Sequence, residues 1–593
     1  MRFPAFRLLC LLSPLVCLAL PGRSQSPSAQ PQSAQAETTA TEPTVTLRTF
    51  SRLVTLEVVV KDSKGNHIKG LKAGDFKVFE QTPSRNKERR EQKIRSFHEV
   101  NIADLTAGNA AVKPTQPGVY SNAVTMEKDP VPPTILLVDG LNTNVEFQAQ
   151  VHAQMLQMLR QLPTDVPIAV FVLGNRLVML QSFTTGPRLL QAALQKASST
   201  KGKGGAGADP RDDPDSTGSA MAATAHVPPE MVAAARGLDQ GVYAASMDKR
   251  VEMTINALES IARNLAGYPG RKNLLWLSTS FPISLSPLGR TSEGYRNYEG
   301  LLQELNGVLS DAKISVYSIN VAGVQAPQFF TTGARPPSGS GRRVASTVGR
   351  EITMQSSEQD TSQELAEGTG GQVCTGDNDL GDCIRKAVND SSDYYEIAYY
   401  PDSPDWNGEY RKVTIDAEQR GARLAYREGY FATPQGGGDA KNQAIELQSA
   451  CEDGLNATSL AITARRLPPD SPEQLKFSLA VDASALTLAP TGDGGVQLNV
   501  AVGVCTFDKN GLPLKLMNYP MVAKLNAKQY GALAAAGKVS ESIFVPGPRP
   551  AALRLLVLDV ASGREGSIHI DADETSGLPA QTANAAGAPQ PHQ

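Results

Sequence analysis

The chain has 593 residues, 40% hydrophobic and 20% charged, with a formal net charge of −3 at pH 7. That length exceeds what one hydrophobic core serves, so several domains are expected. No basic block or basic stripe occurs, which excludes nucleic acid as an expected partner.

The amino terminus reads as a targeting segment. Arg2 and Arg7 precede "LLCLLSPLVCLAL" (8–20), and "PGRSQS" follows. This is a charged start, an apolar run too short to span a bilayer, and a small-residue exit. Residues 1–24 are expected to be a cleaved signal peptide, and Val16 before Cys17 suits a lipid-attachment site poorly. Their removal takes away Arg2, Arg7 and Arg23 and moves the formal charge from −3 to −6. Cys374, Cys383, Cys451 and Cys505 remain, an even set that favours disulfides in an exported chain. Three pairings are open; closeness in sequence favours Cys374–Cys383 and Cys451–Cys505. No later segment is apolar enough for a transmembrane span, so the mature chain is expected to be secreted, periplasmic or associated with the cell envelope.

Residues 25–44, "QSPSAQPQSAQAETTATEPT", lack large apolar side chains and read as a disordered linker. "VTLEVVVKDSKGNHIKGLKAGDFKVFEQ" then brings β-branched runs, the turn residues "DSKGN" and the alternation "FKVFE". With "KIRSFHEV" it predicts a small β-sandwich-like domain over 45–105. A loose stretch at 106–133 leads to a region of alternating strands and helices. Strand "TILLVD" is followed by a helical period at Phe147, Val151, Met155, Leu159 and Leu162. Strands "PIAVFVLG" and "LVMLQSFT" come next, then a helix near 187–197 and an insertion near 198–246. A helix over 247–265 precedes strand "KNLLWLSTSF", and a helix near 295–311 precedes "KISVYSINV". A second insertion covers 324–359. A short helix ends at "GTGG", helix-stop chemistry, and "YYEIAYYP" is expected as the last strand of this region. After a Gly-rich linker at 433–444, alternating strands joined by the turn "DKNG" predict a β-sandwich over 445–573. Residues 574–593 read as a disordered tail.

Alternating strand–helix units with near-continuous apolar strands predict a mostly parallel sheet covered by helices, whose ligand-capable rim is the carboxyl end of the strands. Asp139 lies at that rim. The central alternation with Asp139 closing its first strand resembles the von Willebrand factor type A fold. The segments "VVVKDSKGNHIKGLKAGDFKVFE", "LLVDGLNTN", "GRKNLLWLSTSFP", "ELAEGTGGQV", "NDLGDCIRKAVNDSSDYYEIAYYP" and "YRKVTI…YREGYFA" resemble the acidobacterial VWFA-related family of exported proteins. The resemblance covers about 50–432. It implies an α/β, Rossmann-like type A domain over 133–432 preceded by a small β domain; with the carboxy-terminal sandwich read from its own alternation, the type A domain is expected to be flanked by two β-sandwich-like modules. It also implies binding to a macromolecule, in many members through a magnesium ion.

Magnesium takes about six hard oxygen ligands. The type A class ends its first strand Asp-x-Ser-x-Ser; the matching positions here are Asp139, Leu141 and Thr143, and Leu141 offers no oxygen. Where the class shows Thr-Asp-Gly after the fourth strand, this chain has Ser278, Thr279 and Ser280, hydroxyls without a carboxylate. Asn142 or Asn144 offers an amide oxygen but no charge, and the loop threonine, sought among Thr184, Thr185 and Thr224, is not placed. The expected binding rim is Asp139, Asn142, Thr143, Ser278 and Thr279, with Asp139 and Thr143 as the metal candidates and Asp139 expected to hydrogen-bond its own following loop.

Other chemistry is sparse. Asp377, Asp379 and Asp382 in "CTGDNDLGDC" lack the glycine and glutamate spacing of a calcium loop. The six histidines are dispersed, no Gly-x-Ser-x-Gly elbow occurs, and "KGKGGAG" has none of the context of a phosphate loop. The sequence thus predicts no catalytic residues and no resident cofactor. It predicts an exported, non-enzymatic binding, adhesion or assembly protein whose partner is a protein or a glycan. The alternatives are a functional magnesium adhesion site at Asp139, and a hydrolase whose site is not visible in the sequence.

Overall fold

The computed structural model describes residues 53–83, 88–101, 117–124, 133–143, 166–199, 220–221, 224, 227–278, 298–320, 361–374, 380–403, 405–432, 440–469, 471, 474–491 and 495–571. The expected signal peptide and linker, the helix period from Phe147 to Leu162, the insertion at 324–359, most of the linker at 433–444 and the tail at 574–593 lie outside the described residues.

The molecule is a mixed α/β protein with several sheets, one of which carries parallel strands. That sheet has six strands in the spatial order Gln372–Cys374, Ile314–Asn320, Lys272–Ser278, Thr134–Asp139, Ile168–Leu173, Leu177–Thr184. Its pairs are parallel except the last, which is antiparallel. Every residue of Thr134–Asp139 and Ile168–Leu173 is buried. Such strands form where both faces are covered, and alternation then assigns each residue to one of two cores. Ile135, Leu137, Phe171, Leu274, Trp276 and Val316 face the helices Pro229–Leu265 and Glu299–Asp311. Leu136, Val138, Val170, Leu275 and Tyr317 face Pro187–Ser199 and Leu380–Ser392.

The helix Pro229–Leu265 is 37 residues long and begins well inside the expected insertion at 198–246. The Ala-rich run "MVAAARGLDQGVYAAS" supplies helix propensity, and proline at its first position suits a helix start. The "GTGG" stop forms as expected: Gly370 adopts φ of 73° after the helical stretch 361–368. A Cβ on Gly371 would meet the Val316 carbonyl oxygen at 2.0 Å, so only glycine fits there.

"YYEIAYYP" departs from expectation. Asp393–Tyr399 does not extend the parallel sheet; it pairs antiparallel with Val54–Lys61 on one side and Ile94–Asn101 on the other. Tyr410–Ala417 likewise joins Phe76–Gln81. The β-module therefore consists of two four-stranded sheets built from both 54–101 and 393–431, around Leu56, Val58, Val78, Ile397, Tyr399 and Val413. The pattern of apolar residues was correct, but strand pairing is long-range and the local sequence does not encode it.

Two further antiparallel sheets enclose Phe477, Leu479, Val500, Val502, Leu555 and Ile568. Val119–Ser121, inside the stretch expected to be loose, contributes an edge strand to one of them. The helix Ala440–Glu452 covers the outer face of the other, where the sequence predicted a linker to 444 and the start of an all-β domain at 445. A Cys451–Cys505 disulfide joins that helix to strand Val496–Phe507, and Cys374–Cys383 links the last parallel strand to the helix Leu380–Ser392.

Candidate functional site

Strand alternation places Asp139 on the same face as Ile135 and Leu137, toward the long helix. Leu137 stands beside Trp276 in the parallel register, so the indole reaches along the sheet to the strand end. Asp139 is 1% exposed. Its Oδ1 accepts the Asn142 main-chain N–H at 2.9 Å. Its Oδ2 accepts both the Asn142 Nδ2 at 2.7 Å and the Trp276 Nε1 at 3.0 Å. The Thr143 hydroxyl donates to the Asp139 main-chain carbonyl. The loop after the strand is thus folded back onto the strand end, held further by Gly140 and Leu141 N–H groups bonded to the Leu173 carbonyl.

The long helix completes the arrangement. Arg250 Nη2 donates to Asn142 Oδ1 at 3.1 Å, and Asn142 Nδ2 also reaches the Thr254 hydroxyl at 2.9 Å. Thr254 in turn donates to the Arg250 carbonyl at 2.8 Å. Asn142 is therefore the hub: it bonds Asp139 twice and carries the influence of the Arg250 guanidinium to it. Burial pushes the Asp139 carboxyl above its ordinary pKa, opposed by the Asn142 and Trp276 hydrogen bonds and by the Arg250 charge.

Three of the sequence-named rim residues, Asp139, Asn142 and Thr143, come together here. Ser278 ends the adjacent strand opposite Asn320, and Thr279 lies outside the described residues. Sequence reasoning missed Trp276, Arg250 and Thr254. The available signal was two polar residues one turn apart in a helix face otherwise made of Val251, Ile255 and Leu258.

This donor set does not suit a magnesium ion. Each carboxylate oxygen of Asp139 already accepts an N–H, Leu141 is buried with no oxygen to give, and a guanidinium supplies positive charge two bonds of the network away. Among the described residues no three His, Cys, Asp or Glu side chains are grouped as metal ligands.

A groove of about 940 Å³ lies between the long helix and the carboxy-terminal sheets, lined by Arg263, Asn264, Asp453, Phe507, Arg554 and His569 among others. Its charges serve the joint itself. Arg263 pairs with Asp453 at 3.2 Å and Glu565 at 3.3 Å, and Arg554 donates to the carbonyls of Ala450, Cys451 and Asp453, closing the end of a helix. No described helix is long and apolar enough to cross a membrane.

No family model matches the chain, and no curated protein matches it. Similar solved structures include an aerotolerance-related membrane protein from Bacteroides fragilis, at 12% identity over 44% of this chain and 98% of that one, TM-score 0.24. A von Willebrand factor type A structure from Catenulispora acidiphila matches at 10% identity over 61% and 82%, TM-score 0.21. The pilus adhesin SpaC from Lactobacillus rhamnosus GG matches at 9% identity over 81% and 58%, TM-score 0.22. At TM-scores of this size the likenesses carry no argument about what this chain does.

Proposed function

We propose that this chain is an exported, non-enzymatic adhesion or assembly protein of the type A class, within the acidobacterial VWFA-related family. Its parallel-sheet rim recognises a protein or glycan partner without a bound metal. The observation that supports this most directly is the Asp139 carboxylate, buried and fully engaged by Asn142 and Trp276. A carboxylate so held is a scaffold for the rim loop and is not offered to an ion or a substrate. Residues 1–24 direct the chain out of the cytoplasm, and the mature protein works in the periplasm, at the envelope or outside the cell.

The test has two arms on the full chain. Titration with magnesium by calorimetry is expected to give no saturable heat; tight binding returns Asp139 to a metal-dependent adhesion site. Capture of envelope components from the native host is expected to be unchanged by chelator, and loss of capture on chelation overturns metal-free recognition.

A further inference from the structure

The strand Pro513–Leu525 is 13 residues long and pairs on one side only, with Val496–Phe507; among the described residues no strand takes its other edge. At the rise of an extended chain that is about 40 Å of open backbone. Exposed apolar side chains gather on and beside it. Leu512, Leu514, Val522, Tyr530 and Phe544 are five of the fourteen large exposed hydrophobics among the described residues. Exposed apolar groups spread singly need no explanation, but this concentration beside an unpaired edge marks an interface. Tyr519 ties the strand to Lys538–Val545, the edge strand of the facing sheet, through a 3.2 Å bond to the Phe544 carbonyl. The whole side of the sandwich is therefore presented together.

The edge also restricts what can pair with it. Pro520 stands opposite Ala501 and has no N–H to give that neighbour. In a regular antiparallel ladder such a residue belongs at a position whose polar groups point away from the partner, so the even-numbered residues of the strand present their backbone groups outward. An incoming strand would bond Leu516, Asn518, Val522 and Lys524, and Pro520 through its carbonyl alone. A second copy of the same strand, running antiparallel and centred on Asn518, sets Val522 of each copy against Leu514 of the other. It places Lys515 opposite Met521 and leaves Lys524 beyond the end of the partner's paired tract, so no lysine faces a lysine. The register shift between Thr506 and Phe507 bulges the strand at Leu514 and ends the paired tract there.

We propose that Pro513–Leu525 is a self-association edge, joining two copies of this chain through an antiparallel, two-fold strand pair centred on Asn518. The pairing is isologous, so it closes at a dimer. It is independent of the sheet rim that carries the functional reading above.

Sedimentation of the full chain is expected to show a concentration-dependent species of twice the chain's mass. Val522→Asp, at a 59% exposed position, is expected to weaken association at least tenfold while leaving the unfolding transition in place. With Cys10 and Cys17 replaced by serine, Asn518→Cys is expected to give a covalent dimer on mild oxidation, because residue 518 meets its own symmetry mate. Lys509→Cys, on the hairpin turn, is expected to stay single. A chain that remains monomeric at about 100 µM, where a dimer of micromolar affinity would be largely formed, overturns the proposal. So does association unaffected by Val522→Asp, or equal cross-linking at 509 and 518.

Discussion

The two ends of the parallel sheet solve the same problem, buried polar groups, in opposite ways. At the carboxyl end a single carboxylate is surrounded by neutral donors, with one arginine acting through an amide. At the amino end cations accumulate. Arg271 is 2% and Lys272 1% exposed. Arg271 donates to the carbonyls of Glu57 and Gly370, and Lys272 to the Ala312 carbonyl at 2.8 Å. Lys313, in the left-handed region at φ of 55°, turns its ammonium to Glu396 at 2.7 Å and Glu57 at 3.4 Å. Lys61 and Tyr317 share Asp390. These contacts bind the β-module to the sheet, so the charged end is a structural joint, whereas the quiet end carries the rim to which recognition is assigned in the proposal above.

Breaking the amino end should cost most. Arg271→Met leaves two buried carbonyls without donors and is expected to lower stability by about 3 kcal/mol in urea unfolding; a loss under about 1 kcal/mol would show that the joint is held elsewhere. Lys272 sharpens the contrast through pH. Burial, with the nearby Lys313 charge, depresses it from 10.5 to about 7. The unfolded state then binds the extra proton between pH 7 and 10.5, so this residue makes stability rise with pH across that window and imposes its penalty below it. Lys272→Met should remove that rise and stabilise the protein at pH 7, on the order of 3 kcal/mol from the size of the shift; parallel pH profiles for the two proteins would contradict it.

At the carboxyl end the effects are smaller. Asp139→Asn turns one acceptor into a donor, facing either the Asn142 main-chain N–H or both Asn142 Nδ2 and Trp276 Nε1, with an expected cost of about 2 kcal/mol. Because burial already disfavours the charge, the misplaced donor is the cause, and Asp139→Asn should change the near-ultraviolet signal of Trp276. Thr254→Val removes one bond to Asn142 and one to the Arg250 carbonyl, for about 1 kcal/mol. A larger loss there than at Asp139 would make the helix, and not the strand end, the anchor of the rim.

Much of this was legible beforehand because it is local. Asp139 at a strand end, the hydrogen bonding of its own loop, the "GTGG" stop and the "DKNG" turn all follow from residues within a few positions of one another. In that turn Asp508 Oδ1 accepts the N–H groups of Asn510 and Leu512, both at 2.8 Å, and Gly511 takes φ of 75°. What the sequence did not disclose is what arrives from far away. Trp276 and Arg250 reach the rim from 137 and 108 residues off. Asp393–Tyr399 carries the same alternation whether it extends one sheet or another, and only its partner decides. The helix at Ala440–Glu452 was hidden by the Gly-rich run before it.

That returning strand has a consequence for how the protein is made. Val58 must wait for Tyr395, its partner on that strand and 337 residues later (395 − 58), which at ribosomal rates of about 5–20 residues per second is a delay of roughly 15 to 70 s. Throughout that interval Val54–Lys61 has two open edges, and its apolar side has Phe76 and Val78 to pack against but none of Tyr395, Ile397, Tyr399, Val413 or Ile415. An amino-terminal fragment ending near residue 105 would stay in that condition permanently, so truncation studies should begin from the far end of the chain.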